Sequence, residues 1–166
     1  MGAKPAGLAP PICAPGGLLD GVMFKITALD HLVLTVRDPE ATGAFYQTVL
    51  GLEVVDFEDG SRALVCGSQK IKLHQQGREP EPRAQQPTPG SADLCFVTAA
   101  SLPEVVAHLA TCGVAIIQGP VRRFGARGPM VSIYFRDPDL NLVEVANYGA
   151  ADPEPGEQIK TSREKA

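Results

Sequence analysis

The chain has no tryptophan, and its 166 residues include only three tyrosines and six phenylalanines. Any binding cavity must therefore be lined mainly by aliphatic and polar side chains. The chain also lacks an uninterrupted apolar run of the roughly 20 residues that a membrane-spanning helix needs. A chain of this length has enough residues to bury the core of one domain, with little left over.

An excess of positive charge is also missing. The chain carries 15 basic and 19 acidic residues, for a net charge of −4. Phosphates and anionic lipids are not attracted to a net-negative chain without a clustered basic face. The basic cluster Arg122-Arg123 with Arg127 is too small to line a groove. We therefore expect no nucleic-acid or membrane partner, and a soluble, cytoplasmic protein with a mitochondrial location as the alternative.

Paired cysteine motifs are absent as well. The four cysteines are widely spaced and form no CxxC pair: Cys13, Cys66, Cys95 and Cys112. A disulfide framework or a four-cysteine zinc site is therefore not expected. Reduced thiols in an intracellular compartment are the natural interpretation.

The two ends of the chain differ in composition from its middle. Residues 1–24 are rich in Pro, Gly and Ala and contain no arginine, and residues 149–166 are mostly polar. A mitochondrial presequence would need arginines, and a secretory signal would need an apolar stretch without prolines. The composition predicts a disordered leader over residues 1–24, a folded domain over 25–148 and a disordered tail over 149–166.

The front of the domain reads as strand, helix and three strands. Residues 26–36 alternate as a half-buried strand. Asp38-Pro39 is typical of a helix start, and Gly51 of a helix end. Residues 52–57 then predict a strand, and residues 62–66 and 70–75 predict a hairpin.

The same order returns after a Pro-rich connector, REPEPRAQQPTPG. Residues 92–98 predict a strand, 101–113 a helix, 114–118 a strand and 131–148 a hairpin, with a loop at 124–129. His31 to Asp93 and Gly51 to Gly113 are both steps of 62 residues. This indicates a duplication, with modules at 26–76 and 91–148. The predicted fold class is α+β: two βαβββ modules that form a cup-shaped mixed-sheet barrel.

Four ionisable side chains fall on the inward faces of the strands expected at the centre of the cup: His31, His74, Asp93 and Glu144. Each alone has a plainer interpretation, such as a hydrogen-bonded histidine, a strand end or a cap. Glu144 is the hardest to explain by packing, because apolar neighbours would leave its carboxylate without compensation. The duplication predicts that the four positions are symmetry-equivalent, with His74 corresponding to Glu144, and together they favour a metal site. Cys95 shares a face with Asp93, where we interpret it as a small apolar filler.

Three stretches carry a family resemblance: LDHLVLTVRDPEATGAFYQTVLGLEV, HQQGREPEPRAQQPTPGSADLCFVT and GPMVSIYFRDPDLNLVEVANY. They resemble the vicinal oxygen chelate superfamily, the group of glyoxalase I, bleomycin-resistance proteins and extradiol dioxygenases. The resemblance covers roughly residues 26–148. It implies a divalent metal ion (Zn, Ni, Mn or Fe) on the inner strand faces, with open positions for a substrate that chelates through two vicinal oxygens.

The resemblance also implies a ligand set. His31 and Glu144 match the first and last ligand positions of the family. His74 stands where glyoxalase I has a glutamate, and Asp93 stands where most members have a histidine. One interpretation uses all four as ligands. The other uses His31, His74 and Glu144 alone, a two-histidine, one-carboxylate face that suits ferrous iron.

The leading functional prediction is a glyoxalase-like, metal-dependent lyase or isomerase acting on a small molecule, with Glu144 as general base. Arg123 and Arg127 are candidates for binding an anionic substrate end, and Tyr134 for closing the pocket. The alternatives are an Fe(II)-type oxygenase and a small-molecule-binding module without catalysis. The modules could share a site within one chain or across a homodimer.

Overall fold

The computed structural model describes residues 26–150 and 159–160. The described residues form two helices and nine strands, in this order: β1 His31–Val36, α1 Pro39–Leu50, β2 Glu53–Asp56, β3 Arg62–Cys66, β4 Gln69–Gln75, β5 Asp93–Val97, α2 Leu102–Thr111, β6 Gln118–Gly125, β7 Gly128–Arg136, β8 Leu142–Asn147 and β9 Ile159–Lys160. The two βαβββ modules predicted from the sequence are therefore present.

Both helices begin with capping side chains that the sequence supplies. The Asp38 carboxylate accepts hydrogen bonds from the backbone N–H groups of Glu40 and Ala41 at the start of α1. Helix α2 starts with a capping box, in which Ser101 and Glu104 each bond the other's backbone N–H. Helix α1 ends at Gly51, whose φ of 67° is a conformation that glycine adopts without strain. These signals fix both ends of α1 and the start of α2.

Two sequence predictions in the second module are wrong in their boundaries. Residues 114–117 are irregular rather than a strand, and β6 runs instead from Gln118 to Gly125. The predicted loop at 124–129 shrinks to a tight turn, because β7 begins at Gly128 and pairs with β6 up to that turn. The polar and glycine-rich composition of this segment concealed a long hairpin.

Each module builds one mixed sheet. The first sheet has the strand order β1-β4-β3-β2, and the second has β5-β8-β7-β6-β9. In each sheet the first strand of the module pairs in parallel with its last long strand, β1 with β4 and β5 with β8. The remaining pairs are antiparallel.

The two modules meet through the faces of the sheets that carry the helices. A single hydrophobic core joins Leu34 and Leu73 of the first sheet with Phe135 and Val143 of the second. Tyr46 of α1 lies within it, 6.1 Å from the Phe96 ring. Since side chains alternate along a strand, the opposite faces of both sheets point away from this core. We call them the inner faces, and within one chain they do not close into the predicted barrel.

A polar cluster ties the modules together beside this core; we call it the clasp. Asp137 accepts hydrogen bonds from Tyr46 Oη at 3.0 Å and from Asn141 Nδ2 at 2.8 Å. Asp139, which is 3% exposed, accepts from the backbone N–H and guanidinium of Arg37. Gly90 lies so close that a Cβ there would be 2.6 Å from the Asp139 carbonyl oxygen. The clasp thus fixes the module arrangement and the start of β8.

The predicted leader, residues 1–24, lies outside the described residues. Within the predicted tail, Ile159–Lys160 pairs with Gln118 and Gly119 as strand β9, so this part of the tail adds to a sheet edge. Across the described residues, no helix is both long and apolar enough to cross a membrane.

Candidate functional site

The inner face of the first sheet carries a row of cationic and imidazole side chains. Strand pairing sets His31 beside Lys70, Val33 beside Lys72, and Thr35 beside His74. Val33 is 46% exposed although it lies in a central part of β1. This surface is therefore basic, and it is open to a ligand or to another chain.

One ring nitrogen of His31 is hydrogen-bonded, and the other is available to bind a ligand. Its Nδ1 lies 2.6 Å from Asp30 Oδ1. The hydrogen bond from His31 holds the pKa of the Asp30 carboxyl below its usual value, so Asp30 is an acceptor at neutral pH and Nδ1 must donate. This leaves Nε2 with its lone pair. A carboxylate that orients a histidine in this way is the usual support of a metal-binding imidazole.

His74 lies farther along the same face, in a different environment. It is half-buried, and desolvation, followed by the nearby Lys72 charge, lowers the pKa of its imidazole. Because its strand neighbour is Thr35, it stands four residues along the parallel pair from His31. At about 3.3 Å per residue this separates the two histidines by roughly 13 Å of strand.

A cavity of about 430 Å³ lies at His74. Its floor is Val33, Thr35 and His74, and its wall is formed by the connector between the modules, with Glu79, Pro82, Arg83, Ala84 and Pro87. The connector, which reads from the sequence only as a Pro-rich break, thus covers part of the inner face of the first sheet.

The inner face of the second sheet is centred on Glu144. Glu144 pairs with Cys95 on one side and with Tyr134 on the other. Asp93 pairs with Leu142 and is exposed at the start of β5. The carboxylate predicted to point inward therefore does so, in the middle of a row of polar side chains.

Glu144 is partly buried, and one oxygen of its carboxylate is not hydrogen-bonded. Its Oε1 atom is inaccessible to solvent and has no hydrogen-bond partner among the described residues. The Cys95 thiol and the Tyr134 hydroxyl interact with the carboxylate. Partial desolvation of the thiol, together with the Glu144 charge, raises the pKa of Cys95 to about 12. Burial and the hydrogen bond to Glu144 also raise the pKa of Tyr134.

The two predicted arginines have different positions. Arg123 Nε donates to Tyr134 Oη at 2.9 Å, and its guanidinium lies 5.3 Å from the centre of the Tyr134 ring. Arg127 lies at the tip of the β6–β7 hairpin, 4.2 Å over the ring of Tyr148. Only Arg123 is therefore connected to Glu144, through Tyr134.

The register corrects the symmetry inferred from the sequence. His31 and Asp93 begin equivalent strands, and they pair with Lys70 and Leu142. Counting along from these pairs, Glu144 is equivalent to Lys72, whereas His74 is equivalent to Ala146. The four predicted ligand positions are thus not fully symmetry-related, and His74 is displaced by two residues.

The structure brings some predicted site residues together and keeps others apart. Asp93 and Glu144 share the inner face of the second sheet, and His31 and His74 share that of the first. Among residues 26–150 and 159–160, no group of three His, Cys, Asp or Glu side chains is close enough to hold a metal ion. Within a single chain, these residues therefore do not fit a metal centre.

Sequence reasoning placed Cys95 and Lys72 on these faces without giving either a role at the site, and it missed Arg83. Cys95 was interpreted as a filler, although period-two alternation already placed it on the Asp93 side of β5. Lys72 lies on the same face as His74 in KIKLHQ, and its alternation was the available signal. Arg83 has no such signal, because nothing in an irregular Pro-rich connector indicates which sheet it covers.

Comparison with known proteins agrees with this architecture. The family model of the Glyoxalase/Bleomycin resistance protein/Dioxygenase superfamily matches residues 28–145. Virulence protein STM3117 of Salmonella typhimurium is 50% identical over 129 residues, which are 78% of this chain and 90% of that protein. Glyoxalase domain-containing protein RDO1 of Mycosarcoma maydis is 48% identical over 147 residues, covering 89% of this chain and 81% of that protein.

A solved structure gives the same result for the fold. An integron cassette protein from the mobile metagenome of V. cholerae is 52% identical and superimposes with a TM-score of 0.74, covering 77% of this chain and all of that one. The matched region contains both modules and both inner faces. This chain belongs to the Glyoxalase/Bleomycin resistance protein/Dioxygenase superfamily.

Proposed function

We propose that this chain is a glyoxalase-type lyase or isomerase that acts on a small molecule with two neighbouring oxygens. Its superfamily includes glyoxalases and dioxygenases. The observation that carries the proposal is Glu144 Oε1, a buried carboxylate oxygen that lacks a hydrogen-bond partner among the described residues. A buried carboxylate oxygen without a partner is costly, so its retention is best explained by a ligand that it binds.

The working site in this proposal is shared by two copies of the chain. The inner faces of one chain point away from each other, so His31 and Glu144 of the same chain do not meet. Pairing the first sheet of one copy with the second sheet of another would bring a basic face to the Asp93 and Glu144 carboxylates. It would also cover the exposed Val33 and Val97 side chains, which are 46% and 52% exposed.

Members of this superfamily often use divalent metals, and the donor chemistry at the shared site suits one. His31 offers a free Nε2 supported by Asp30, and Glu144 offers an unpaired oxygen. His31 and Glu144 would hold the ion, with Asp93 as a third donor; the register makes His74 the weakest of the four candidates. When bound, such an ion supplies Lewis-acid polarisation of the substrate oxygens.

The protein's own groups have separate tasks. Glu144 would take the proton from the carbon next to the two substrate oxygens when its carboxylate is not bound to the ion, and would return it to the neighbouring carbon. Tyr134 and Cys95 orient the carboxylate through their contacts with it. Arg123 holds Tyr134 in place through a hydrogen bond of 2.9 Å.

Metal content and molecular mass test the proposal together. Protein purified without chelators is analysed by inductively coupled plasma mass spectrometry and by light scattering, as wild type and as His31→Ala, His74→Ala and Glu144→Gln. We expect a dimer with about one metal per site, loss of metal in His31→Ala and Glu144→Gln, and retention in His74→Ala. A folded, metal-free monomer contradicts the proposal.

A second function, small-molecule binding without catalysis, is favoured by one observation. The predicted donors do not converge within a single chain. A panel of 2-oxoaldehyde–thiol adducts, assayed with Zn, Ni, Mn and Fe(II), separates the two functions. Turnover that depends on Glu144 supports the enzyme, whereas binding without turnover under every metal supports the binding module.

A further inference from the structure

The cavity beside His74 contains charged groups that the proposed chemistry does not use. Arg83 and Glu79 stand on its connector wall, and His74 and Thr35 stand on its floor. At about 430 Å³, its volume lies in the range of small-molecule sites. Val33, Pro82, Ala84 and Pro87 supply the apolar lining.

Arg83 is held in place yet keeps donors free. Its Nε donates to Glu81 Oε1 at 2.9 Å, and its side chain is 37% exposed. Its two terminal nitrogens make no hydrogen bond to a described residue. A guanidinium edge of this kind matches the two oxygens of a carboxylate.

Glu79 supplies the opposite polarity on the same wall. Its Oε1 accepts from the Gly77 backbone N–H at 3.0 Å, which fixes the carboxylate at the connector start. Backbone hydrogen bonds, with a smaller contribution from Arg83 and His74, lower the pKa of Glu79. An ionised carboxylate inside a cavity favours a ligand that brings a hydrogen-bond donor.

The surrounding charge favours an acid as the ligand. Lys70 and Lys72 lie on the same inner face as His74, and Lys72 is near enough to lower the pKa of the imidazole. The Glu81 carboxylate, which is largely exposed, is already paired with Arg83.

From these positions we infer that the cavity is the specificity subsite for a small carboxylic acid that carries a neighbouring hydroxyl or ammonium donor. Arg83 binds the carboxylate and Glu79 accepts from the donor, while His74 and Thr35 complete the floor. The inference rests on the proposed function, because the cavity opens on the same inner face that carries His31. It assigns His74 to substrate selection rather than to metal binding.

The probes are L-lactate, L-alanine, propionate and L-lactamide, titrated into the full-length protein and followed by two-dimensional NMR. Lactate and alanine carry both features, propionate lacks the donor, and lactamide lacks the charge. We expect lactate or alanine to bind in the millimolar range, propionate more weakly and lactamide not at all, with shifts at Thr35, His74 and Glu79. Tighter binding of lactate would identify hydroxy acids as the natural ligand class, and tighter binding of alanine would identify amino acids.

Two arginines of the connector provide a matched pair of variants. Arg83→Gln is expected to weaken acid binding about 10- to 100-fold, because a charge-assisted hydrogen-bond pair is lost. Arg78→Gln removes the same charge from the same connector outside the cavity, and should change binding less than about threefold. Glu79→Ala removes the acceptor and should bring lactate or alanine to the affinity of propionate. Thermal melts of all three should match wild type.

The inference is overturned if Arg83→Gln and Arg78→Gln bind the acids equally well. It is also overturned if the wild type binds no acid at about 20 times the probe concentration at which binding is expected. The result is independent of the metal test. Acid binding that depends on Arg83 in a metal-free monomer would remove the proposed function and leave the subsite standing. A metal-loaded dimer that does not distinguish lactate from lactamide would support the proposed function and remove the subsite.

Discussion

Buried polar groups are hydrogen-bonded on the helix side of the two sheets, whereas some on the inner face of the second sheet are not. On the helix side, the clasp pairs Asp137 with Tyr46 and Asn141, and Asp139 with Arg37. On the inner face of the second sheet lie Ser132 Oγ and Glu144 Oε1, two buried side-chain atoms without a hydrogen-bond partner among the described residues. Satisfied polar groups stabilise the module arrangement, whereas unsatisfied ones are available to a ligand. The comparison predicts that mutations on the two sides separate stability from activity.

The largest effect on stability is expected from Asp137→Ala. Asp137 is 4% exposed and accepts from Tyr46, from Asn141 and from two backbone N–H groups. Its removal leaves these buried donors unpaired, so the free energy of unfolding should fall by about 3–5 kcal/mol. Urea unfolding followed by circular dichroism measures it.

Asp59→Ala is the matched control for the clasp. Asp59 also accepts a backbone N–H two residues ahead in a turn, but it is exposed. Its replacement should cost less than about 1 kcal/mol. If the two variants unfold at similar urea concentrations, the clasp does not hold the modules together.

Glu144→Gln tests the other side of the comparison. The amide keeps the size of the side chain but removes the proton acceptor, so turnover should fall about 100-fold or more. Stability should stay the same or rise, because the partly buried carboxylate, one oxygen of which is unpaired, is replaced by a neutral amide. Steady-state rates and urea unfolding are measured on the same preparation. Glu53→Gln, an exposed strand residue of the first sheet, serves as the control and should change neither quantity.

The sequence predicted the regular parts of this arrangement better than the irregular ones. Alternation and capping residues placed β1, α1 and the closing hairpin, because those signals are local to Asp38, Gly51 and the strand itself. The equivalence of His74 with Glu144 failed because the strand register depends on pairing between distant segments. The two modules of the predicted cup-shaped barrel are present but do not close within one chain, because the shared core and the clasp decide which faces of the modules meet.

A smaller effect is expected when the support of His31 is removed. Asp30→Asn keeps the size of the residue but weakens the hydrogen bond that selects the Nδ1–H tautomer. Loss of such a supporting carboxylate typically lowers metal affinity about 10- to 100-fold. Competition with a chromophoric chelator measures the affinity. Asp56→Asn, which breaks the exposed pair with Arg62, is the control, and equal affinities in both variants would argue against His31 as a ligand.

The smallest effect concerns Cys95, which reports on Glu144 without requiring any substrate. Its pKa of about 12 means that very little thiolate exists at pH 8, so iodoacetamide should label Cys95 at least about 100-fold more slowly than a free cysteine. Folding raises the pKa of Cys95. The contribution of this thiol to the free energy of unfolding is therefore fully present below the usual thiol pKa and is lost as the pH rises from about 9 toward 12. Glu144→Gln removes the charge that disfavours the thiolate and should speed labelling, as followed by peptide mass spectrometry. Partial desolvation of the thiol, the larger cause of the raised pKa, remains in the variant, so labelling should stay slower than that of a free cysteine. An unchanged labelling rate would mean that the Glu144 charge does not affect the Cys95 thiol, although the strand register makes the two residues neighbours.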